Sequence, residues 1–292
     1  MAERPFSLHV SDLEIDTLRK KLELTRLPDE LEESAWDYGV PLEDIRRLLA
    51  RWKDGFDWRA YEVAVNKLPQ FTRDIDVEDF GALNIHYVHQ RSEVEGAIPL
   101  LLIHGWPGHF MEVHKLLHFL VSPTSGQPSF HVVVPSLPGY GFSEAPKKKG
   151  FAGAQYAEFH GVFTLSFPPA PSLNIGSSQV ARKLGLFYGQ KHVKAWHTSF
   201  IAVTKPPSFT TNPLLYLQHL LTPYTTRDRD GLARSTWFRT KSTGYMAEQS
   251  TQPQTLGYSH ADSPIGLLAW VYEKLVQWTG SYPWTDDEGI VT

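Results

Sequence analysis

Pro99–Phe110 reads PLLLIHGWPGHF. With Ile98 before it, the apolar run to Ile103 has β-strand character and stops abruptly at His104-Gly105-Trp106-Pro107-Gly108. A short continuous apolar run reads as a strand buried on both faces, which points to a parallel α/β sheet. Beyond the turn, Phe110, Val113, Leu116, Leu117 and Leu120 fall at the spacing of an amphipathic helix. Two glycines and a proline turn the chain sharply and leave backbone N–H groups free beside a helix start. Such a turn can receive an oxyanion. A plain strand-to-helix turn is the competing reading, and the five-residue pattern at a strand end favours the oxyanion site.

The 292 residues suffice for one large domain or a core with a subdomain. At 41% hydrophobic and 21% charged, the composition can fill a core. A net charge of −4 makes no electrostatic case for nucleic acid. No apolar run approaches the ~20 residues that span a bilayer, and MAERPFSLHV lacks the apolar centre of a signal peptide. A cytoplasmic protein without a membrane span is the expectation. Cysteine is absent, which excludes disulfides and thiolate metal sites. Nine tryptophans fit either large cores or an aromatic-lined pocket.

Ser11-Asp12-Leu13-Glu14 is a capping-box pattern, with Ile15, Leu18 and Leu22 on one helical face behind it. Pro41 opens a second helix with Ile45, Leu48, Leu49 and Trp52 inward, and Gly55 ends it. Asp57 can cap a third helix, stopped by Pro69. Residues 1–70 therefore form a helical meander that packs against something else. Strand candidates follow at Asp74–Glu78, Leu83–His89 and Phe130–Ser136, the last running into Leu137-Pro138-Gly139-Tyr140-Gly141. Alternation of strand, Gly-rich turn and helix marks an α/β protein.

The next unit should be helix, strand, sharp turn, helix. Pro168, Pro169 and Pro171 fall where its central strand is wanted, and proline cannot donate to a ladder. The pattern recovers with a helix at Gln179–Tyr188 and a strand at His192–Ser199. The expectation is a sheet split or loosely paired near residues 165–175, an exposed edge at the strand that follows, and a chain prone to aggregate. From Lys205 onward the text turns Pro-, Thr- and Ser-rich and then helical. Ser263 and Pro264 cap a helix carrying Ile265, Leu268, Ala269, Tyr272, Leu275 and Trp278, stopped by Gly280. This block reads as a lid inserted after a sheet strand.

The combination of DWR at Asp57, NKLPQF at Asn66, IHYVH at Ile85, HGWPG at His104, PSLPGYGFS at Pro135, SQVARKLGLFYG at Ser178, VKAWHTSF at Val193 and GYMAEQSTQPQTLGYSHADSPIGLLAW at Gly244 is specific. It resembles the epoxide hydrolases of the microsomal and juvenile-hormone type over nearly the whole chain except about residues 159–177. The resemblance implies an α/β-hydrolase fold with a mostly parallel, incomplete sheet. It implies an N-terminal helical region over 5–112, a partial hydrolase core over 113–204 and a helical cap over 205–288. In that family an Asp attacks an epoxide carbon, tyrosines protonate the leaving oxygen, and a His–acid pair activates water to cleave the alkyl-enzyme ester. The product is a vicinal diol, and neither cofactor nor metal is used.

By the same resemblance, Trp106 supplies an oxyanion N–H, with Gly105 beside it in the turn, and Tyr245 matches the lid tyrosine. The family's Gly-Gly-Asp-Trp-Gly-Ser elbow is replaced by Leu173-Asn174-Ile175-Gly176-Ser177-Ser178, with Asn174 the nearest match to the nucleophile if one residue is inserted. No Asp lies between Glu158 and Asp228, and the chain stops at Thr292, before the family's second tyrosine, late acid and late His.

Three readings follow: an active hydrolase using Asn174 or recruited residues; a non-catalytic relative that binds an apolar ligand or a partner; or an altered product of an epoxide hydrolase gene, such as a mis-spliced message. The third draws on two unrelated-looking stretches, the elbow and Gly289–Thr292. The expected ligand is a small apolar epoxide, and a homo-oligomer is left open. Other chemistries are weaker. Gly141-Phe142-Ser143-Glu144-Ala145 is a partial match to a serine-esterase elbow. His114 and His118 lie four apart with His109 a turn earlier, but no acid completes a metal set and solvated histidines are the simpler reading. Lys147-Lys148-Lys149 reads as a solvated loop.

Overall fold

A computed structural model describes residues 3–124, 126–165, 173–176, 178–189, 191–198, 206–280 and 282–291. Its strands are β1 (Arg4–Pro5), β2 (Gln70–Val77), β3 (Gly81–Gln90), β4 (Ile98–Ile103), β5 (Phe130–Pro135), β6 (Leu173–Gly176) and β7 (Ala195–His197). The helices of the first half are α1 (Asp12–Glu23), α2 (Leu42–Asp54), α3 (Trp58–Val65), α4 (Leu117–Val121), α5 (Gly153–Leu165) and α6 (Ser178–Tyr188). Those of the second half are α7 (Pro213–Leu221), α8 (Thr226–Lys241), α9 (Gly244–Thr251), α10 (Pro253–Asp262), α11 (Pro264–Thr279) and α12 (Asp286–Val291).

One sheet runs in the order β1-β2-β3-β5-β4-β6-β7. The β1, β2, β3 and β5 pairings are antiparallel, whereas β5, β4, β6 and β7 are parallel. Leu100 and Leu102 of β4 pack on one face with Val88, Val132 and Val134. Leu101 and Ile103 pack on the other with Ile85, Tyr87, Val133 and Phe159. Two-sided burial is the condition that the run Ile98–Ile103 anticipates. This is the α/β-hydrolase architecture: a mixed sheet, parallel at its centre, with helices on both faces.

The structure corrects three expectations. The amphipathic run after the turn is not one helix. Phe110–Val113 is a 3₁₀ turn, α4 begins at Leu117, and Leu116 is exposed. A 3₁₀ turn places residues three apart on one side, so Phe110 and Val113 both reach the core and the register is reset before Leu117. The sheet is not split over Leu173–Gly176: β6 pairs with β4 on one side and β7 on the other. Pro168, Pro169 and Pro171 lie outside the described residues, and β6 starts two residues beyond the last of them, where a missing proline donor costs the ladder nothing. Phe159 and Phe163 sit one turn apart on α5, are fully buried, and fill the face occupied by Tyr87. The strand at 192–199 shortens to Ala195–His197 and forms the exposed edge, with Trp196 47% accessible.

Helices α1 and α2 of the meander find their partner at the far end of the chain, while α3 packs on the sheet. Leu22, Ile45 and Leu48 form a third core with Ile265, Leu268 and Tyr272 of α11. The end of the chain joins it. Gly289 is buried, and a Cβ there would approach the Tyr272 ring to 3.2 Å and Leu48 to 3.6 Å. Arg51 grips Asp287 through two hydrogen bonds of 2.8 Å, and Arg47 pairs with Asp286. Gly289–Val291 thus belongs to α12 and is packed in.

Candidate active site

The parallel strands bring the relevant loops to one edge. Ile103 is the last residue of β4 and lies level with Gly176, the last of β6. The HGWPG turn and the segment that follows β6 therefore leave the sheet side by side, at the carboxyl ends of parallel strands where α/β sheets bind ligands. Asn174 lies level with Leu101, two residues before the end of β6.

Buried polar groups hold the turns in place. His104 is fully buried, and its Nε2 accepts a hydrogen bond from the Leu137 N–H at 3.1 Å. That bond puts the ring proton on Nδ1 and ties the HGWPG turn to the loop after β5. Burial pushes the His104 pKa down to about 4, so the ring is neutral. His86, from the IHYVH segment, is a second buried tether, on β3. Gln70 Nε2 donates to the Val65 carbonyl, which leaves Gln70 Oε1 to accept from His86 Nε2 at 3.1 Å, while Ser136 Oγ donates to His86 Nδ1 at 2.9 Å. Desolvation brings His86 down to about 3. Ser143 Oγ donates to the Ser136 carbonyl at 2.8 Å and accepts from the His86 N–H at 3.0 Å. Ser143 is therefore committed to holding PSLPGYGFS against β3. Gly141, at φ +51°, is required there, because a Cβ would meet Ser136 Oγ at 2.6 Å.

At the mouth of the turn, the Tyr245 ring stacks on the Trp106 indole, with centroids 4.8 Å apart and planes 10° from parallel. Trp278 of α11 packs against both, 5.8 Å from Trp106 and 5.0 Å from Tyr245. Its Nε1 donates to the buried Ser242 Oγ at 2.9 Å, which fixes the indole. Lys274 is buried below, its Nζ 5.3 Å from the Tyr245 ring centre, and it pairs with Glu273. Half-burial raises the Tyr245 hydroxyl above its ordinary pKa, so it stays protonated as a donor. The turn itself has two unlike sides. A Cβ on Gly105 would meet nothing within 4 Å, while one on Gly108 would collide with the Glu112 carboxyl. A hollow of about 600 Å³ lies behind Trp278, lined by Trp36, Arg234 and Gly280 among others, and includes neither Trp106 nor Tyr245.

The structure thus joins Gly105, Trp106 and Tyr245, and ends β6 beside the same turn with Asn174 two residues short of that end. Trp278 and Lys274 were not legible as site residues. Their signal is an aromatic-Lys-aromatic stripe at Trp270, Lys274 and Trp278, four residues apart, next to the core stripe that ends at Leu275. His114 and His118 are both exposed, and no three metal-binding side chains converge among the described residues.

Residues 3–113 match the family described as epoxide hydrolase N terminus, and residues 98–179 match the alpha/beta hydrolase fold. The chain is 34% identical to epoxide hydrolase 1 of Sus scrofa over 94% of its own length and 63% of that protein's. It is 29% identical to juvenile hormone epoxide hydrolase 1 of Ctenocephalides felis, covering 94% of this chain and 60% of that one. The solved structure of Aspergillus niger epoxide hydrolase superposes with a TM-score of 0.83 at 31% identity, over 99% of this chain and 74% of that one. With its N-terminal region matched by the family description and a solved epoxide hydrolase superposing over 99% of its length at 31% identity, the chain belongs to the epoxide hydrolase family.

Proposed function

We propose that this chain binds small apolar epoxides beside the Trp106–Tyr245 stack at the HGWPG turn, and that it does not form the alkyl-enzyme ester of its family. The observation that carries this reading is the register of β6. Gly176 at the end of β6 lies level with Ile103, just before the HGWPG turn, yet Leu173–Ser178 contains neither Asp nor Glu. The neutral amide of Asn174 is a far poorer nucleophile than a carboxylate. On this reading the Trp106 N–H, beside Gly105, faces the epoxide region as oxyanion donor, the Tyr245 hydroxyl points a proton at the epoxide oxygen, and Trp278 backs the stack. Residues 5–112, 113–204 and 205–288 then serve as N-terminal region, partial core and cap, and the protein works in the cytoplasm. No helix among the described residues is long and apolar enough to cross a membrane.

With styrene oxide the purified protein should give no diol above background and no mass increase by one epoxide. It should still show saturable tryptophan quenching. Asn174→Asp or Ile175→Asp should then acquire a covalent adduct. Tyr245→Phe keeps the stack on Trp106 and should hold most of the affinity, whereas Tyr245→Ala loses an aromatic pair worth ~0.5–1.5 kcal/mol, or roughly two- to tenfold in affinity. Diol formation by the unmodified chain would sink the reading.

A further inference from the structure

We propose that Glu112 positions the oxyanion donor: its carboxyl group, folded back over Gly108 beside the Gly105 carbonyl, sets the Gly105–Trp106 peptide so that the Trp106 N–H faces the open side of the turn. The proposal rests on the reading of that N–H as the donor.

The position a Gly108 Cβ would occupy is 1.5 Å from Glu112 Oε1 and 3.2 Å from the Gly105 carbonyl oxygen. The carboxyl therefore fills the volume over Gly108 and shares it with that carbonyl. The C=O of Gly105 and the N–H of Trp106 belong to one planar peptide and point in opposite directions. A partner on the carbonyl therefore decides where the N–H points. The turn has room at Gly105, where nothing but the chain neighbours lies within 4 Å of a Cβ.

The 3₁₀ turn Phe110–Val113 brings the side chain back by four residues. It is anchored by the buried Phe110 and Val113 and closed by the Glu112 N–H donating to the His109 carbonyl at 3.0 Å. An ionised carboxylate beside a carbonyl oxygen repels it, and a protonated one donates to it. The surrounding protein pushes the Glu112 pKa up to about 7 although the side chain keeps access to solvent, so the donating form is available near neutrality. His104 and His109, the titratable groups of the same turn, are both held below their ordinary pKa by burial and add no positive charge to oppose this.

The test uses the full chain and two readouts, amide hydrogen exchange at Trp106 by NMR and styrene oxide binding by tryptophan quenching. Glu112→Ala should speed Trp106 exchange and weaken binding, each about tenfold, the equivalent of one lost hydrogen bond. Glu112→Gln, which keeps the shape and an N–H donor, should restore both to within about twofold. Gly108→Ala leaves the carboxyl in the chain but drives it from its place, and should reproduce Glu112→Ala. Unchanged exchange in both Glu112→Ala and Gly108→Ala would overturn the proposal, as would failure of Glu112→Gln to restore it. Should the unmodified chain not bind styrene oxide, the ligand reading falls, and the exchange rates still decide the role of Glu112.

Discussion

Acidification destabilises the protein steeply between about pH 6.5 and 4.5, well before its carboxylate ion pairs titrate. Three fully buried imidazoles set this window: burial lowers His86 to about 3 and His104 and His160 to about 4, against an ordinary 6.5. In that interval the unfolded chain binds protons that the folded chain refuses, so stability falls as pH falls. Each such proton is worth ~1.4 kcal/mol per pH unit. Glu112 acts in the opposite sense, because its raised pKa favours the folded state in acid, but solvent access weakens that contribution. The expected slope is about 3–4 kcal/mol per pH unit, enough to exhaust a net stability of ~5–15 kcal/mol within a few units.

Asp74, held at about 2 first by Arg4, and Glu288, held at about 2 first by Lys115, contribute stability that is present above their ordinary pKa and lost at still lower pH. Denaturant midpoints at several pH values measure the slope. His160→Leu, which removes one of the three rings, should reduce it by about a third. Equal midpoints at both ends of the window would refute the assignment.

Leu48→Ala should be the most costly single truncation among the N-terminal helices. Leu48 has no accessible surface and lies where α2, α11 and α12 meet. A buried Leu→Ala change costs ~2–5 kcal/mol because the cavity collapses incompletely. For a chain of this size that is a fall of roughly 5–15 °C in melting temperature. Because α11 carries Trp278 and Lys274, the effect should also reach the Trp106–Tyr245 stack as an early change in tryptophan fluorescence. The half-buried Leu49 provides the control, and a comparable loss for Leu49→Ala would show that the α2–α11 seam is not the determinant.

Local pattern was legible wherever the physics is local. Capping at Ser11, Asp57 and Ser263 is present as read, since a cap depends on a few adjacent residues. The strand at Ile98–Ile103 and its exit into HGWPG followed from an apolar run that can be satisfied only inside a parallel sheet. The family, too, could be identified from the motifs.

Features that depend on contacts distant in sequence were decided by tertiary structure. Arg4–Pro5 is a strand because β2 offers it a ladder, not because its two residues favour one. The three prolines pointed to a broken sheet, yet β4 and β7 supply partners to Leu173–Gly176 beyond them. The meander over residues 1–70 left its partner unnamed, and for α1 and α2 it is α11 and α12, more than 200 residues away in sequence. Helical spacing assigned Trp278 to a core stripe. Its place at the candidate site comes from the packing of α11 beneath Tyr245, which brings three aromatic rings from distant segments over one turn. A periodic pattern tells which side of a helix is apolar; the element that covers that side is chosen by the fold as a whole.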